Sequence, residues 1–252
     1  MVNNFKFWIL ISTVFWMGCA GTINDDDNYD FQFKEALRLL EKEKFISAQD
    51  ILNRLAIRAS HTEIGDKIQF HLGESYFLNE EYQLAIIEYN KLVRRMGFSP
   101  LVEQARWRIC KCYVAMSPKY YLDQISSEKA IEKLQEFIED YPISEQKDSA
   151  NQTVLTMRNK LGEKAYETGI LYIKLGAYDS AILAFEQMIE NYYDTEFVLQ
   201  AHLGIIRSYS ALEEVDKVEK YFQSNKHIFP EDTVKEANKI IIDLKKRVLE
   251  KG

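Results

Sequence analysis

Two hydrophobic patterns divide this chain. The first is a single apolar run near the start, Phe7 to Met17, in which only Ser12 and Thr13 are polar. The second begins near residue 31 and repeats. Gly73, Tyr76, Tyr82, Ala85 and Tyr89 form one set of small and aromatic positions, and Gly169, Tyr172, Tyr178, Ala181 and Phe185 reproduce it at the same spacings. Cys110 and Tyr113, then after an insertion Ala130, Leu134, Phe137 and Pro142, form a third. Weaker copies run through Phe45, Ala48, Leu52 and Leu55, and through Tyr209, Val218, Phe222 and Pro230. Self-similarity at such a period marks a chain built by stacking one supersecondary unit. No later segment approaches the roughly 18 unbroken apolar residues of a membrane helix.

Each recurring position has a steric reason. Small residues at Gly73, Cys110 and Gly169 let two helices approach, and Ala85, Ala130 and Ala181 do the same from the second helix. Tyr76, Tyr113, Tyr172 and Tyr209 are expected to fill the grooves between units, and Pro142 and Pro230 to stop the second helices. The pattern resembles the tetratricopeptide repeat, a helix-turn-helix unit of about 34 residues. The resemblance implies an all-α tetratricopeptide-repeat solenoid of about five repeats following a lipoprotein signal. The spacing between equivalent positions is 37 residues from Ala48 to Ala85, 45 to Ala130, 51 to Ala181 and 37 to Val218. The 45 reflects a loop at residues 116–127. The 51 predicts an elongated helix from Gln146 to Lys164, with Ala150, Val154, Leu155 and Leu161 near one face. That helix is expected to join an N-terminal half, residues 30–144 with repeats 1–3, to a C-terminal half, residues 145–252 with repeats 4–5.

The N-terminal run has the length of a signal-peptide core behind the lone basic Lys6. Gly18-Cys19-Ala20-Gly21 then resembles a bacterial lipoprotein signal, which implies cleavage after residue 18 and lipidation of Cys19. Trp16 and Met17 depart from the Leu and small residue that the signal prefers. An uncleaved anchor helix and ordinary secretory cleavage after Gly18 or Ala20 are the alternatives. Several acyl chains give stable anchoring where one does not. Residues 19–29, acidic and polar, are expected to form a solvated tether.

Composition narrows the function. Of the residues, 46% are apolar and 28% charged, so a packed core is within reach. Glycine (10) and proline (4) stand at roughly half their usual share, too few for the turns of an all-β fold. A net charge of −7 argues against nucleic acid as a partner. Catalytic chemistry does not assemble. His61, His71, His202 and His227 lack metal-binding spacing, so neither metal nor cofactor is expected. Cys110 and Cys112 are two apart, which on a helix points them away from each other, and both are expected to be buried free thiols. Glu80/Glu81 and Glu213/Glu214 read as solvated turns, and Trp107 as core. These observations favour a binding protein over an enzyme.

Longer stretches resemble the BamD family of outer-membrane assembly lipoproteins. They are residues 118–124 (PKYYLDQ), 129–144 (KAIEKLQEFIEDYPIS), 155–161 (LTMRNKL) and 172–182 (YIKLGAYDSAI). Tyr193 stands where that family often has proline. The resemblance implies a scaffold lipid-anchored to the periplasmic face of the outer membrane. Its partners would be the POTRA domains of a BamA-like barrel insertase, through the C-terminal repeats, and unfolded outer-membrane β-barrel proteins, through the N-terminal ones. Another periplasmic repeat adaptor, such as a Tol-Pal-associated cell-division coordinator, is the alternative, although no heptad run precedes residue 31. First-helix residues off the core stripe line the concave face of such solenoids. Here these are Lys67, Phe70, Glu74 and Phe77 in the second repeat, and Glu163, Tyr166, Ile170, Ile173 and Lys174 in the fourth. Apolar side chains among single charges suit a strand-like peptide, as does an inter-repeat core role for the same residues.

Overall fold

The computed structural model describes residues 25–251, and the signal segment and Cys19 lie outside that range. The described residues form eleven α-helices with no strand. They are α1 (Asp25–Glu41), α2 (Phe45–Arg58), α3 (Gly65–Leu78), α4 (Tyr82–Arg95), α5 (Val102–Met116) and α6 (Ile125–Asp140). The series continues with α7 (Lys147–Lys174), α8 (Tyr178–Asn191), α9 (Val198–Ala211), α10 (Val215–Asn225) and α11 (Glu231–Lys251). Each helix packs on the next, so antiparallel pairs stack in chain order: α1/α2, α3/α4, α5/α6, α7/α8 and α9/α10, with α11 covering α9 and α10. This is an all-α tetratricopeptide-repeat solenoid. None of its described helices is long and apolar enough to cross a membrane.

The small residues act as the repeat pattern requires. A Cβ on Gly73 would lie 2.5 Å from the Tyr89 ring, and a Cβ on Gly204 would lie 2.5 Å from the ring of Phe185, which Gly169 touches from the other side. Ala85, Ala130 and Ala181 are fully buried, as are Tyr89, Phe137 and Phe185. The core is therefore a chain of clusters, one per pair of neighbouring repeats.

The turns within repeats share one feature. Glu43, Glu80, Gly176 and Glu213 stand at positive φ (56°, 62°, 72° and 59°) at equivalent places between paired helices. Only one of the four is glycine, the residue that adopts this conformation at no steric cost. The turns between repeats share another. Ser99 Oγ donates to Asp66 of α3 at 2.6 Å, and Ser144 Oγ donates to Glu103 of α5 at 2.6 Å. The Glu196 amide donates to Asn159 of α7 at 3.1 Å, beside a bidentate Arg158–Asp194 pair. Polar contacts thus tie the turns after α4, α6 and α8 to the first helix of the preceding repeat.

Four expectations are corrected. Helix α1 begins at Asp25 and Tyr29 packs on the first core cluster, so residues 25–29 are helix rather than tether. The long helix starts at Lys147 and runs past Lys164 to Lys174, because it continues without a break into the first helix of repeat 4. Its buried face is Ala150, Met157 and Leu161 at helical spacing, with Val154 partly buried, whereas Leu155 is exposed. Pro230 opens α11, whose Val234 amide bonds its carbonyl; α10 has already ended at Asn225. The division expected at residues 144/145 falls in the turn between α6 and α7.

Candidate functional site

The first helices α3, α5 and α7 face a common cleft. Its larger part, about 1000 Å³, runs along the start of α5 and the α6–α7 turn, past Glu103, Trp107, Arg108, Lys111, Ile143 and Gln146. A continuation of about 380 Å³ reaches from Phe77 of α3 to Ser149 and Thr153 of α7, and shares Trp107, Lys111 and Gln146. Trp107 is the centre of both. It is half-buried: it packs on the Cys110, Leu134, Phe137 and Ala150 core cluster, with its ring centroid 5.5 Å from that of Phe137, and it also lines the cleft. Lys111 holds its ammonium 6.0 Å from the Trp107 ring centroid and is otherwise exposed.

A buried network positions the second cation. The Glu74 carboxylate pairs with Arg108 at 2.7 Å and accepts the Tyr89 hydroxyl. The guanidinium lies 5.2 Å over the Phe77 ring. Burial first, then the Glu74 charge, pushes the Tyr89 phenol far above its ordinary range, so it remains a donor. Glu74 and the Phe77 ring therefore hold Arg108 in place at the cleft. The acidic groups lining the larger part are Glu103, held by Ser144, Asp140, paired with Arg106, and the exposed Glu145.

The candidates from sequence divide. Lys67 is exposed and Phe77 lines the cleft. Phe70 is buried between α3, α4 and α5, and Glu74 is buried beneath Arg108, so neither faces a groove. In repeat 4, Tyr166, Ile170 and Ile173 are partly buried against the Phe185 cluster, and Tyr166 also stacks on Phe197 at 5.7 Å. Lys174 is exposed. Glu163 lines a separate recess of about 420 Å³ with Tyr120, Tyr121, Asn159, Lys160 and Phe197. The insertion loop forms one wall of this recess. Gln124 holds it by reaching the carbonyls of Lys119, Tyr120 and Leu122, and Lys164 donates to the Leu122 carbonyl at 2.7 Å. Lys160 donates to Ser117 at 2.6 Å, and burial pulls its ammonium below the ordinary lysine range.

Sequence reasoning missed Trp107, Arg108 and Lys111. The signal was present: adding one 37-residue repeat to Lys67, Phe70, Glu74 and Phe77 gives Gln104, Trp107, Lys111 and Val114, all of which line the cleft. Elsewhere the chemistry is quiet. Cys110 and Cys112 are buried free thiols, Cys110 donating to the Lys133 carbonyl at 3.1 Å, and burial pushes both up to about 12, so neither is a nucleophile at neutral pH. Glu81 accepts from Gln49 at 2.8 Å, so that turn residue is a structural acceptor rather than only solvated surface.

Comparison with known proteins gives one family. The model of a family described as "Outer membrane lipoprotein" (YfiO) matches residues 25–224. An outer membrane protein assembly factor BamD from Caulobacter vibrioides is 20% identical over 198 residues; the match covers 76% of this chain and 65% of that protein. Another from Rickettsia prowazekii is 21% identical over 196 residues, 75% of each chain. Among solved structures, the tetratricopeptide-repeat domain of P58(IPK) covers 89% of this chain and 67% of its own at 12% identity, with a TM-score of 0.44. A tetratricopeptide-repeat protein from Parabacteroides merdae covers 87% of this chain and 74% of its own at 15% identity, with a TM-score of 0.38.

Proposed function

Because this chain belongs to the YfiO family of outer membrane lipoproteins, we propose that it is a non-catalytic assembly factor for outer-membrane β-barrel proteins. In this reading Cys19 carries the lipid and the solenoid works at the periplasmic face of the outer membrane. Residues 145–252 dock on the POTRA domains of a BamA-like insertase, and the concave face of the N-terminal repeats receives unfolded barrel segments. The two relatives carry the name of that role.

The observation that carries the substrate part of the reading is the Trp107 cleft. A barrel strand alternates apolar and polar side chains. Trp107 and Phe77 offer flat apolar surfaces for alternate residues, and Lys111 and Arg108 offer donors to the carbonyls or carboxylates between them. Extended peptides are read in this way, with pockets for alternate side chains. Of the residues predicted from sequence, Lys67, Phe77, Glu163 and Lys174 remain accessible for such contact.

The test is binding of a peptide copied from a C-terminal barrel strand. Trp107→Ala removes a central aromatic anchor, and such losses run to about 2 kcal/mol, or thirty-fold. Lys111→Glu, on an exposed side chain, keeps the fold and reverses the charge. If both variants bind the peptide as tightly as the parent, substrates are received elsewhere.

A further inference from the structure

We propose that the outer edge of repeats 1 and 2 is a docking strip for an anionic phospholipid surface. It rests on the reading that Cys19 is lipidated.

The strip is written twice in the sequence. Arg54, Ile57, Arg58 and His61 stand at i, i+3, i+4 and i+7, on one face of the end of α2 and the turn after it. One repeat of 37 residues later, Lys91, Arg94, Arg95 and Phe98 occupy the same places at the end of α4. Ile57 is 82% exposed and Phe98 is fully exposed, an unusual position for a large aromatic. Among the described residues, Arg54, Arg58, Arg94 and Arg95 are exposed and enter no ion pair. The Ser99–Asp66 bond ties the Phe98 turn to the start of α3, which directly follows the His61 turn, so the two copies lie side by side.

The strip stops where the repeats move away from the N-terminus. The equivalent positions of repeat 3 are Glu136, Glu139, Asp140 and Ile143, with the charge inverted. A basic, apolar-tipped surface is thus confined to two repeats of a chain whose net charge is −7.

The path of the chain brings this surface to a bilayer. Helices α1 and α2 are antiparallel neighbours, so the start of α1 at Asp25 and the end of α2 at Arg58 share an edge. The N-terminal segment leaves from that same edge. Asp25 is six residue steps from Cys19, a reach of at most about 20 Å. A lipid on Cys19 therefore keeps the start of α1 within about 20 Å of the headgroups, with the α2 end one helix diameter, about 10 Å, farther and the α4 end one repeat beyond it. Arginines there are attracted to anionic lipid, and Phe98 and Ile57 supply side chains for the interface.

The test uses the lipidated protein reconstituted on vesicles of phosphatidylcholine, alone or with a third phosphatidylglycerol. An environment-sensitive fluorophore is attached at Phe98→Cys; Cys110 and Cys112 are buried, and the lipid occupies Cys19. The probe is expected to move to a less polar environment on the anionic vesicles alone, while a probe at Ile242→Cys on α11 does not respond. Adding Arg94→Ala and Arg95→Ala should lower the docked-to-free ratio on the order of 25-fold, about five-fold per cation. If the protein floats with both vesicles and the probe at position 98 reports the same environment on each, the anchor stands and the strip is overturned. Flotation with neither vesicle overturns the anchor and the strip with it. A shift seen only on adding an acidic protein makes the edge a protein interface and overturns the lipid proposal.

Discussion

At the scale of single residues, the repeat depends on what is missing from glycine. Phe185 is fully buried between Gly169 of α7 and Gly204 of α9, and a methyl group on either backbone would overlap its ring. Gly169→Ala is expected to destabilise the protein by about 1–3 kcal/mol, the usual range for overpacking. Gly97→Ala, whose Cβ would meet no heavy atom closer than 3.7 Å, should change little. Urea unfolding of both variants compares them directly. Histidine burial gives a second prediction. His202 bonds Tyr221 through Nδ1 at 2.7 Å, and burial holds its pKa below the ordinary 6.5. Burial holds the His71 pKa down as well, although the Glu74 charge opposes it. Below about pH 6.5 the unfolded chain therefore takes up protons first, so stability is complete above that pH and declines as pH falls through it. The urea midpoint should drop between about pH 7.5 and 5.5, and the drop should shrink in a His202→Phe variant, which titrates one group fewer.

At the scale of elements, the turns inside repeats are the weakest fit between residue and conformation. Glu80 and Glu213 hold a left-handed backbone, where a side chain costs roughly 1–2 kcal/mol. Replacing either by glycine, as Gly176 already stands in the fourth repeat, relieves that cost but loosens the unfolded chain. The balance is expected to raise stability by about 0.5–1 kcal/mol per site, read as a higher thermal midpoint. A fall would mean that the Glu213–Lys251 pair across to α11 outweighs the turn. The 28-residue α7 is the other distinctive element. Its first half covers α6 and its second half opens repeat 4, so one continuous helix packs on both repeat 3 and repeat 4.

At the scale of the molecule, each repeat touches only its neighbours, which makes stability a sum of local interfaces. This arrangement leaves two long faces free. One, along α3, α5 and α7, holds the Trp107 cleft, and the edge formed by the ends of α2 and α4 holds the arginine strip. Under the proposed function, residues 145–252 bind the POTRA domains of the cognate insertase. Pull-down of the two purified proteins checks this, and no association at tens of micromolar would count decisively against it. Cys19→Ala is expected to release the protein from membranes, because the described helices include none able to span one. Outer-membrane residence of that variant in fractionation would mean that something other than the lipid holds it.

Much of this architecture was legible in the sequence, because close packing leaves few choices at a helix crossing. Gly73 and Gly169 must be small where Tyr89 and Phe185 press against them, and the pairing of those residues fixes helix, turn and repeat length together. The alternatives differ in free energy by several kcal/mol, so selection writes them into residue identity. The cleft and the edge were not legible to the same degree. Phe70 and Trp107 occupy the same repeat position, yet Phe70 is sealed between three helices while Trp107 stands half open beside the α6–α7 turn. That difference comes from the long α7 and the loops around it, which shift the neighbours of one repeat relative to the next. Local sequence states which residues can pack. Only the stacked helices decide which of them end up facing solvent, since exposure depends on neighbours tens of residues away.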